Sequence, residues 1–178
     1  MIAPEPAPEH ASQQEAVTGD CKEYEQRFRQ VRGRIADACA EAGRDAASVR
    51  LLAVGKMHPS EAIRSLHDLG QRAFGENRLQ EALDKQERLR DLDLEWHFIG
   101  AIQSNKTRAI AENFDWVQSV DREKILRRLS DQRPESAPPL DILLEVNIDR
   151  EAQKAGVTPE ELPALAALAR SLPRLRLR

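Results

Sequence analysis

Short apolar segments alternate with amphipathic segments along most of this chain, and that alternation constrains the fold more than any other feature. The apolar segments have the length and bounding residues of buried strands. They begin about every 20 to 25 residues, with a longer interval before the last, as expected of repeated βα units. The predicted strands comprise residues 51–55, 72–75, 95–100, 115–119, 140–147 and 174–177.

Amphipathic helices are predicted between these strands and ahead of the first one. The leading helix carries apolar residues at helical spacing and reaches Gly43, a typical helix stop. The helix after the first strand is predicted to open near Pro59, which suits an initial turn. Thr158 and Glu161 form a capping box for the last helix, although Pro163 would remove an early hydrogen bond and move the start slightly later.

The repeated units predict an α/β protein, either a barrel or a doubly wound sheet. We favour the barrel, because no glycine-rich dinucleotide or phosphate loop follows the first strand. Residues 1–19 are acidic and proline-rich with little to bury, so we predict a disordered tail there and one barrel domain over residues 20–178. The expected fold is a TIM-type barrel that is incomplete, with about six strands.

Composition excludes several classes of function. The net charge of −3 argues against a dedicated nucleic-acid binder, which needs a basic excess. Cys21 and Cys39 lie on one predicted helix about 27 Å apart, too far to form a disulfide. The histidines are scattered, so no metal site is predicted. Without a membrane-length apolar run or a secretory signal after Met1, we expect a cytoplasmic protein that does not bind a membrane.

Residues 51–56, Leu-Leu-Ala-Val-Gly-Lys, place a lysine at the carboxyl end of the first predicted strand. Ligands of parallel α/β proteins bind at the carboxyl ends of strands, so this amine is a candidate for covalent chemistry with a carbonyl group. Apolar neighbours would disfavour the charged form of Lys56. The alternative is that Lys56 only marks the exit of the strand to solvent. Lys106 and Lys154 are further amines, which we interpret as solvated helix or loop charges.

Five successive predicted strand ends carry motifs that occur together in one family. They read Leu-Leu-Ala-Val-Gly-Lys at 51–56, Phe-Gly-Glu-Asn at 74–77, Trp-His-Phe-Ile-Gly at 96–100, Ser-Val-Asp at 119–121 and Val-Asn-Ile at 146–148. In this order and spacing they resemble the pyridoxal phosphate homeostasis protein family, also called the YggS or PROSC-like proteins. The resemblance extends over the chain from the leading helix onward.

The resemblance implies a barrel of the alanine racemase N-terminal kind (fold type III) that holds pyridoxal 5′-phosphate (PLP) as a Schiff base on Lys56. It also implies a non-catalytic role, because the family is thought to buffer and deliver PLP in vitamin B6 homeostasis. Asn77 matches the Gly-Glu-Asn motif and is a candidate to bond the ring hydroxyl, or else a helix cap. His97 is a candidate from the Trp-His motif, or a packed histidine. Asn147, ending the fifth predicted strand, is a similar candidate.

Some residues depart from the family pattern. Gly55 stands where the family usually has a small polar residue, and Ala101 stands where many members have a histidine. The chain stops in the sixth predicted strand, whereas the family continues through about two further βα units that hold the phosphate. We therefore expect weak cofactor retention, poor solubility and open barrel edges, with a monomer as the default state and oligomers allowed through those edges.

Two alternative functions stay open at this point. A truncated member without stable PLP binding would act at most as an interaction module. A racemase or aldolase on the same scaffold would need an opposing acid or base, in the racemase type a tyrosine from a second domain. The single tyrosine, Tyr24, lies on the apolar face of the leading helix, which counts against the enzyme.

Overall fold

The computed structural model describes residues 9–178, with side chains from residue 22 onward. A long first helix is followed by alternating strands and helices, with two short 3-10 helices at Ala46–Ser48 and Ser104–Lys106. The α-helices are α1 (Glu9–Glu41), α2 (Ser60–Asp68), α3 (Leu79–Arg88), α4 (Thr107–Asn113), α5 (Glu123–Gln132) and α6 (Leu162–Ser171). The strands are β1 (Ala53–Val54), β2 (Ala73–Glu76), β3 (Glu95–Phe98), β4 (Trp116–Val120), β5 (Leu140–Leu144) and β6 (Leu175–Leu177).

The six strands form one sheet in chain order from β1 to β6, and every neighbouring pair is parallel. Each strand overlaps its predicted segment. A doubly wound sheet reverses its direction at a switch point, so its strand order does not follow the chain. The observed order is that of a partial TIM-type barrel, and the barrel prediction is confirmed.

The described residues divide into two compact units. The first, which we call the helical unit, holds α1 and α2; these helices contact each other, and Tyr24 Oη lies 3.1 Å from His58 Nδ1. The second, the sheet unit, comprises Leu52–Met57 and Arg72–Arg178 and therefore contains every strand. The four candidate site residues Lys56, Asn77, His97 and Asn147 therefore all lie in the sheet unit.

Strand register sorts the side chains of the sheet unit onto two faces. Phe74 is opposite Trp96, and Val117 is opposite Ile142, so these side chains share one face. They are buried, as are Ala82 of α3, Ile110 of α4 and Leu126 of α5, and this apolar layer is the core. The opposite face is mostly polar and carries His97, Gln118, Asp141 and Arg176.

Arg133 holds the end of α4 and the segment before β5 together. Its Nη1 donates to the carbonyl oxygens of Ala111 and Phe114, both at 2.7 Å, and its Nε donates to Pro138 O at 2.8 Å. The residue is only 5% exposed, and this burial lowers the pKa of the Arg133 guanidinium from its usual value. The side chain therefore satisfies backbone acceptors that a helix end cannot satisfy by itself.

The first helix begins ahead of the apolar spacing that predicted it. Residues 1–8 lie outside the described residues, but the backbone of residues 9–19, which we assigned to a disordered tail, belongs to α1. Apolar spacing marks only the part of a helix that buries a face, so it gives no signal for this extension. The division into a tail at 1–19 and a barrel domain at 20–178 stays a prediction.

Two helices begin close to their predicted positions. Pro59 is the N-cap of α2, so the helix begins one residue after it. The capping-box bonds between Thr158 and Glu161 do form, but they close the turn ahead of α6. Thr158 N donates to Glu161 Oε2 at 3.1 Å, and Glu161 N donates to Thr158 Oγ1 at 3.3 Å. The helix itself begins at Leu162, which puts Pro163 in the first turn, where its missing N–H costs no helical bond.

We predict that Arg133→Met lowers the free energy of unfolding by about 2 to 4 kcal/mol, because it leaves buried carbonyl groups without a donor. Urea unfolding monitored by circular dichroism measures the change. Arg127→Met is the matched control, since Arg127 is an exposed arginine of α5 and its loss is expected to cost at most about 0.5 kcal/mol. Equal effects of the two substitutions would contradict the role given to Arg133.

Candidate functional site

The carboxyl ends of β1, β2 and β3 lie side by side because their hydrogen bonding continues beyond the strands. Gly55 N donates to Gly75 O at 2.9 Å, and Ile99 N donates to Glu76 O at 2.9 Å. Lys56, which follows directly, therefore lies at the same edge of the sheet as the ends of β2 and β3. We call this region the strand-end site; it comprises residues 55–57, 76–77 and 99–100.

Gly100 brings the end of β3 against the end of β2. A Cβ at this position would lie 2.2 Å from Asn77 O and 2.8 Å from Asn77 C. No real side chain tolerates such distances, so only glycine allows this close approach of two backbones. The contact fixes the backbone of Asn77 within the strand-end site.

Lys56 is exposed, and the apolar enclosure that we expected around it is not found. Val54 on one side is 44% exposed and Met57 on the other is 84% exposed. Met57 also has a φ of 62°, a left-handed backbone conformation that is uncommon for a residue other than glycine. Neither of these apolar neighbours therefore covers Lys56.

An ion cluster is hydrogen-bonded to the backbone on both sides of Lys56. The sequence did not predict this cluster. Lys85 Nζ donates to Gly55 O at 2.7 Å, to Glu76 Oε1 at 2.8 Å and to Glu81 Oε1 at 2.9 Å. The Lys85 side chain is 8% exposed and the Glu76 side chain is 0% exposed. Glu81 Oε1 also accepts a hydrogen bond from Met57 N at 3.0 Å.

The cluster changes the acidity of its outer carboxylate. The Lys85 ammonium and then the Met57 N–H lower the pKa of Glu81 below its ordinary value. Glu81 and Lys85 are four residues apart on α3, a spacing typical of exposed helical ion pairs. The cluster differs from such a pair because it also includes Glu76, the buried last residue of β2. The burial of Glu76 cannot be predicted from the sequence.

Asn77 follows β2 in the strand-end site and is exposed. Its alternative role as a helix cap is wrong, because Arg78 occupies the N-cap position of α3 and makes no side-chain cap bond. Helix boundaries read from sequence commonly shift by one residue. Its predicted bond to a ring hydroxyl stays a prediction.

His97 is packed into the polar face of the sheet. Its Nε2 lies 2.6 Å from Glu95 Oε1, and its Nδ1 lies 2.9 Å from Gln118 Nε2. The ring stacks on Trp116 with 5.2 Å between centroids, and the residue is 5% exposed. The interpretation as a packed histidine is therefore confirmed, while a role in cofactor binding stays a prediction.

Asn147 lies beyond the end of β5, and its side chain bonds the backbone of the loop that follows it. Its Nδ2 donates to Glu151 O at 2.9 Å, and its Oδ1 accepts from Glu151 N at 3.2 Å. Asn147 N donates to Val157 O at 2.9 Å, beside Gly156, whose φ of +110° suits glycine. The prediction that the strand continues to this residue was wrong, because the loop offers its backbone other partners; its role toward a ligand stays a prediction.

The alternative amines are exposed. Lys154 pairs with Glu151 in the loop after β5, and Lys106 ends the short 3-10 helix before α4. Among the side chains of residues 22–178, no group of three His, Cys, Asp or Glu is placed to hold a metal ion. No helix in this part of the chain combines the length and apolar character that a membrane crossing requires.

The sequential parallel sheet, with a lysine directly after the end of its first strand region, defines an α/β protein of the (β/α)-barrel class. The family described as alanine racemase, N-terminal domain, matches residues 27–178. The pyridoxal phosphate homeostasis protein of Pseudomonas aeruginosa is 60% identical over 148 residues, which are 83% of this chain and 64% of that protein. The protein of the same name from Escherichia coli K12 is 49% identical over 152 residues, 84% of this chain and 65% of that protein. The chain belongs to the pyridoxal phosphate homeostasis protein family, and it spans slightly less than two thirds of the length of these two relatives.

Solved structures agree with this assignment. PipY of Synechococcus elongatus, in a structure with PLP bound, is 40% identical, with a TM-score of 0.68 over 81% of this chain and 68% of that one. Alanine racemase of E. faecalis is 19% identical, with a TM-score of 0.59 over 82% of this chain and 40% of that one, and this likeness shows the fold alone. The family resemblance and the alanine racemase type of barrel that the sequence predicted are thus confirmed.

We predict that Gly100→Ala lowers the free energy of unfolding by about 1 to 3 kcal/mol, because the added methyl group overpacks the contact with Asn77. Thermal and urea unfolding measure the loss. Gly33→Ala is the matched control: Gly33 lies in α1, a Cβ there meets nothing within 4 Å, and alanine is the better helix former by up to about 1 kcal/mol. Loss of stability in Gly33→Ala but not in Gly100→Ala would contradict this interpretation.

Proposed function

We propose that this chain binds PLP covalently through Lys56 and acts as a non-catalytic carrier in PLP homeostasis. The observation that carries the proposal is the position of Lys56, which is exposed at the carboxyl end of β1. The names of its relatives and the PLP bound to PipY support the choice of ligand. A cytoplasmic monomer without a nucleic-acid or membrane partner is part of the same proposal.

The residues of the strand-end site fit the aldehyde end of PLP. PLP supplies an aldehyde that reacts reversibly with a primary amine, and Lys56 presents such an amine on a backbone fixed by Gly55 and Met57. The side-chain amide of Asn77 both donates and accepts hydrogen bonds, as a partner for a ring hydroxyl must. Asn77 is exposed at the adjoining strand end and is therefore open to such a partner.

Lys56 would act as a nucleophile. Its ammonium first loses a proton to solvent, and the neutral Nζ then attacks the aldehyde carbon. The carbonyl oxygen leaves as water with the two remaining Nζ protons, and a C=N double bond replaces the C=O bond. Hydrolysis reverses the step, so a carrier of this kind can release the aldehyde intact.

A racemase or aldolase function has less support. Such an enzyme needs a second acid or base opposite the lysine. The single tyrosine of the sequence, Tyr24, lies in the helical unit and is engaged with His58. We therefore propose binding and delivery of PLP without turnover of amino acids.

We predict that PLP added to the purified chain produces an imine absorbance and that borohydride then fixes the label on Lys56. Peptide mapping by mass spectrometry locates the label. Lys56→Ala should lose most of it, because the exposed Lys106 and Lys154 do not belong to the strand-end site.

Lys106→Ala and Lys154→Ala are the controls for loss of a surface amine, and both should label as the unmodified chain does. Diffuse labelling that survives Lys56→Ala would overturn the carrier proposal and favour an interaction module without PLP. Racemisation of an amino acid by the PLP-loaded chain would overturn the non-catalytic part alone.

A further inference from the structure

The backbone on both sides of Lys56 is bonded to the same buried cluster. On the N-terminal side Gly55 O accepts from Lys85 Nζ, and on the C-terminal side Met57 N donates to Glu81 Oε1. Lys85 and Glu81 are themselves joined at 2.9 Å. The peptide groups that flank Lys56 are therefore held by two side chains of α3 that also hold each other.

This attachment matters because β1 is short. Only Ala53 and Val54 pair with β2, and the bond from Gly55 N to Gly75 O adds one more connection. A strand of this length contributes little stability by itself. The turn at Met57, with its φ of 62°, is also a conformation that needs support from its surroundings.

Lys85 is fully engaged in this arrangement. A protonated amine has three N–H groups, and Lys85 directs one each to Gly55 O, Glu76 and Glu81. With its side chain 8% exposed, the amine is neither accessible nor free to lose a donor. Lys56 and Lys85 thus differ in accessibility. The Lys56 amine is exposed and open to a ligand, whereas the buried Lys85 amine is used to bond the backbone next to Lys56.

We propose that Lys85 and Glu81, anchored by Glu76, are positioning residues that orient Lys56 for reaction with an aldehyde. The inference rests on the proposed function of Lys56. The cluster itself does not contact the aldehyde. Its effect is to keep the chain at 55–57 in one conformation, so that the amine is presented at the strand-end site instead of sampling many directions.

Glu81→Ala tests the proposal, because it removes the acceptor of Met57 N while leaving Lys85 its bonds to Glu76 and Gly55. We expect the apparent affinity for PLP to fall by about tenfold or more. We also expect the borohydride-fixed label to shift from Lys56 toward the exposed Lys106. The matched variants and the fold measurement that follow separate this shift from a general loss of stability.

Matched variants separate positioning from folding. Glu87→Ala removes another α3 glutamate, whose partner is the exposed Arg90, and should leave both affinity and label distribution unchanged. Glu81→Gln keeps a side-chain oxygen for Met57 N and Lys85 and should restore most of the affinity. Circular dichroism of each variant confirms that the fold is retained.

A measurement without PLP gives an independent test. Hydrogen exchange followed by NMR should show the Met57 amide protected in the unmodified chain and in Glu81→Gln, and exchanging about tenfold faster or more in Glu81→Ala. Equal affinity, label distribution and Met57 exchange in Glu81→Ala and Glu87→Ala would overturn the positioning role. Absence of Lys56 label in the unmodified chain would instead overturn the proposed function, while the exchange experiment would still report on the cluster.

Discussion

Hydrogen bonding between the ends of β1 and β2 is the constraint on which the rest of the site depends. It joins Gly55 to Gly75 and so fixes the position of the backbone just before Lys56. Because the six strands follow one another in order and in parallel, their carboxyl ends meet along one edge, where ligands of such folds bind. The sheet therefore fixes the location of Lys56, and the α3 side chains fix the direction of the backbone that carries it.

Two buried cations in the sheet unit stabilise backbone in different ways. Arg133 is surrounded by carbonyl oxygens and connects two segments of the fold. Lys85 lies between two carboxylates and one carbonyl, and both its own ammonium and the Glu76 carboxylate are removed from solvent. Buried ion pairs add little net stability compared with apolar side chains of similar size, whereas breaking one is costly. The Lys85 cluster is therefore better explained by the geometry that it imposes on residues 55–57 than by its contribution to stability.

Much of the fold could be predicted from the sequence, because strands of a parallel sheet need continuous apolar runs that stand out from helical periodicity. The position of Lys56 followed from its place after such a run. Lys85 could not be found in this way, since Glu81 and Lys85 show the spacing of an ordinary exposed pair. The exposure of Lys56 was missed for a related reason: apolar neighbours in the sequence, Val54 and Met57, do not cover it in space.

A crystal structure of the chain grown with PLP would test the central claim most directly. The account predicts continuous electron density from Lys56 Nζ to the aldehyde carbon, with Gly55 and Met57 still bonded to Lys85 and Glu81. Density for PLP on another lysine, or PLP bound away from the carboxyl ends of β1 and β2, would contradict it.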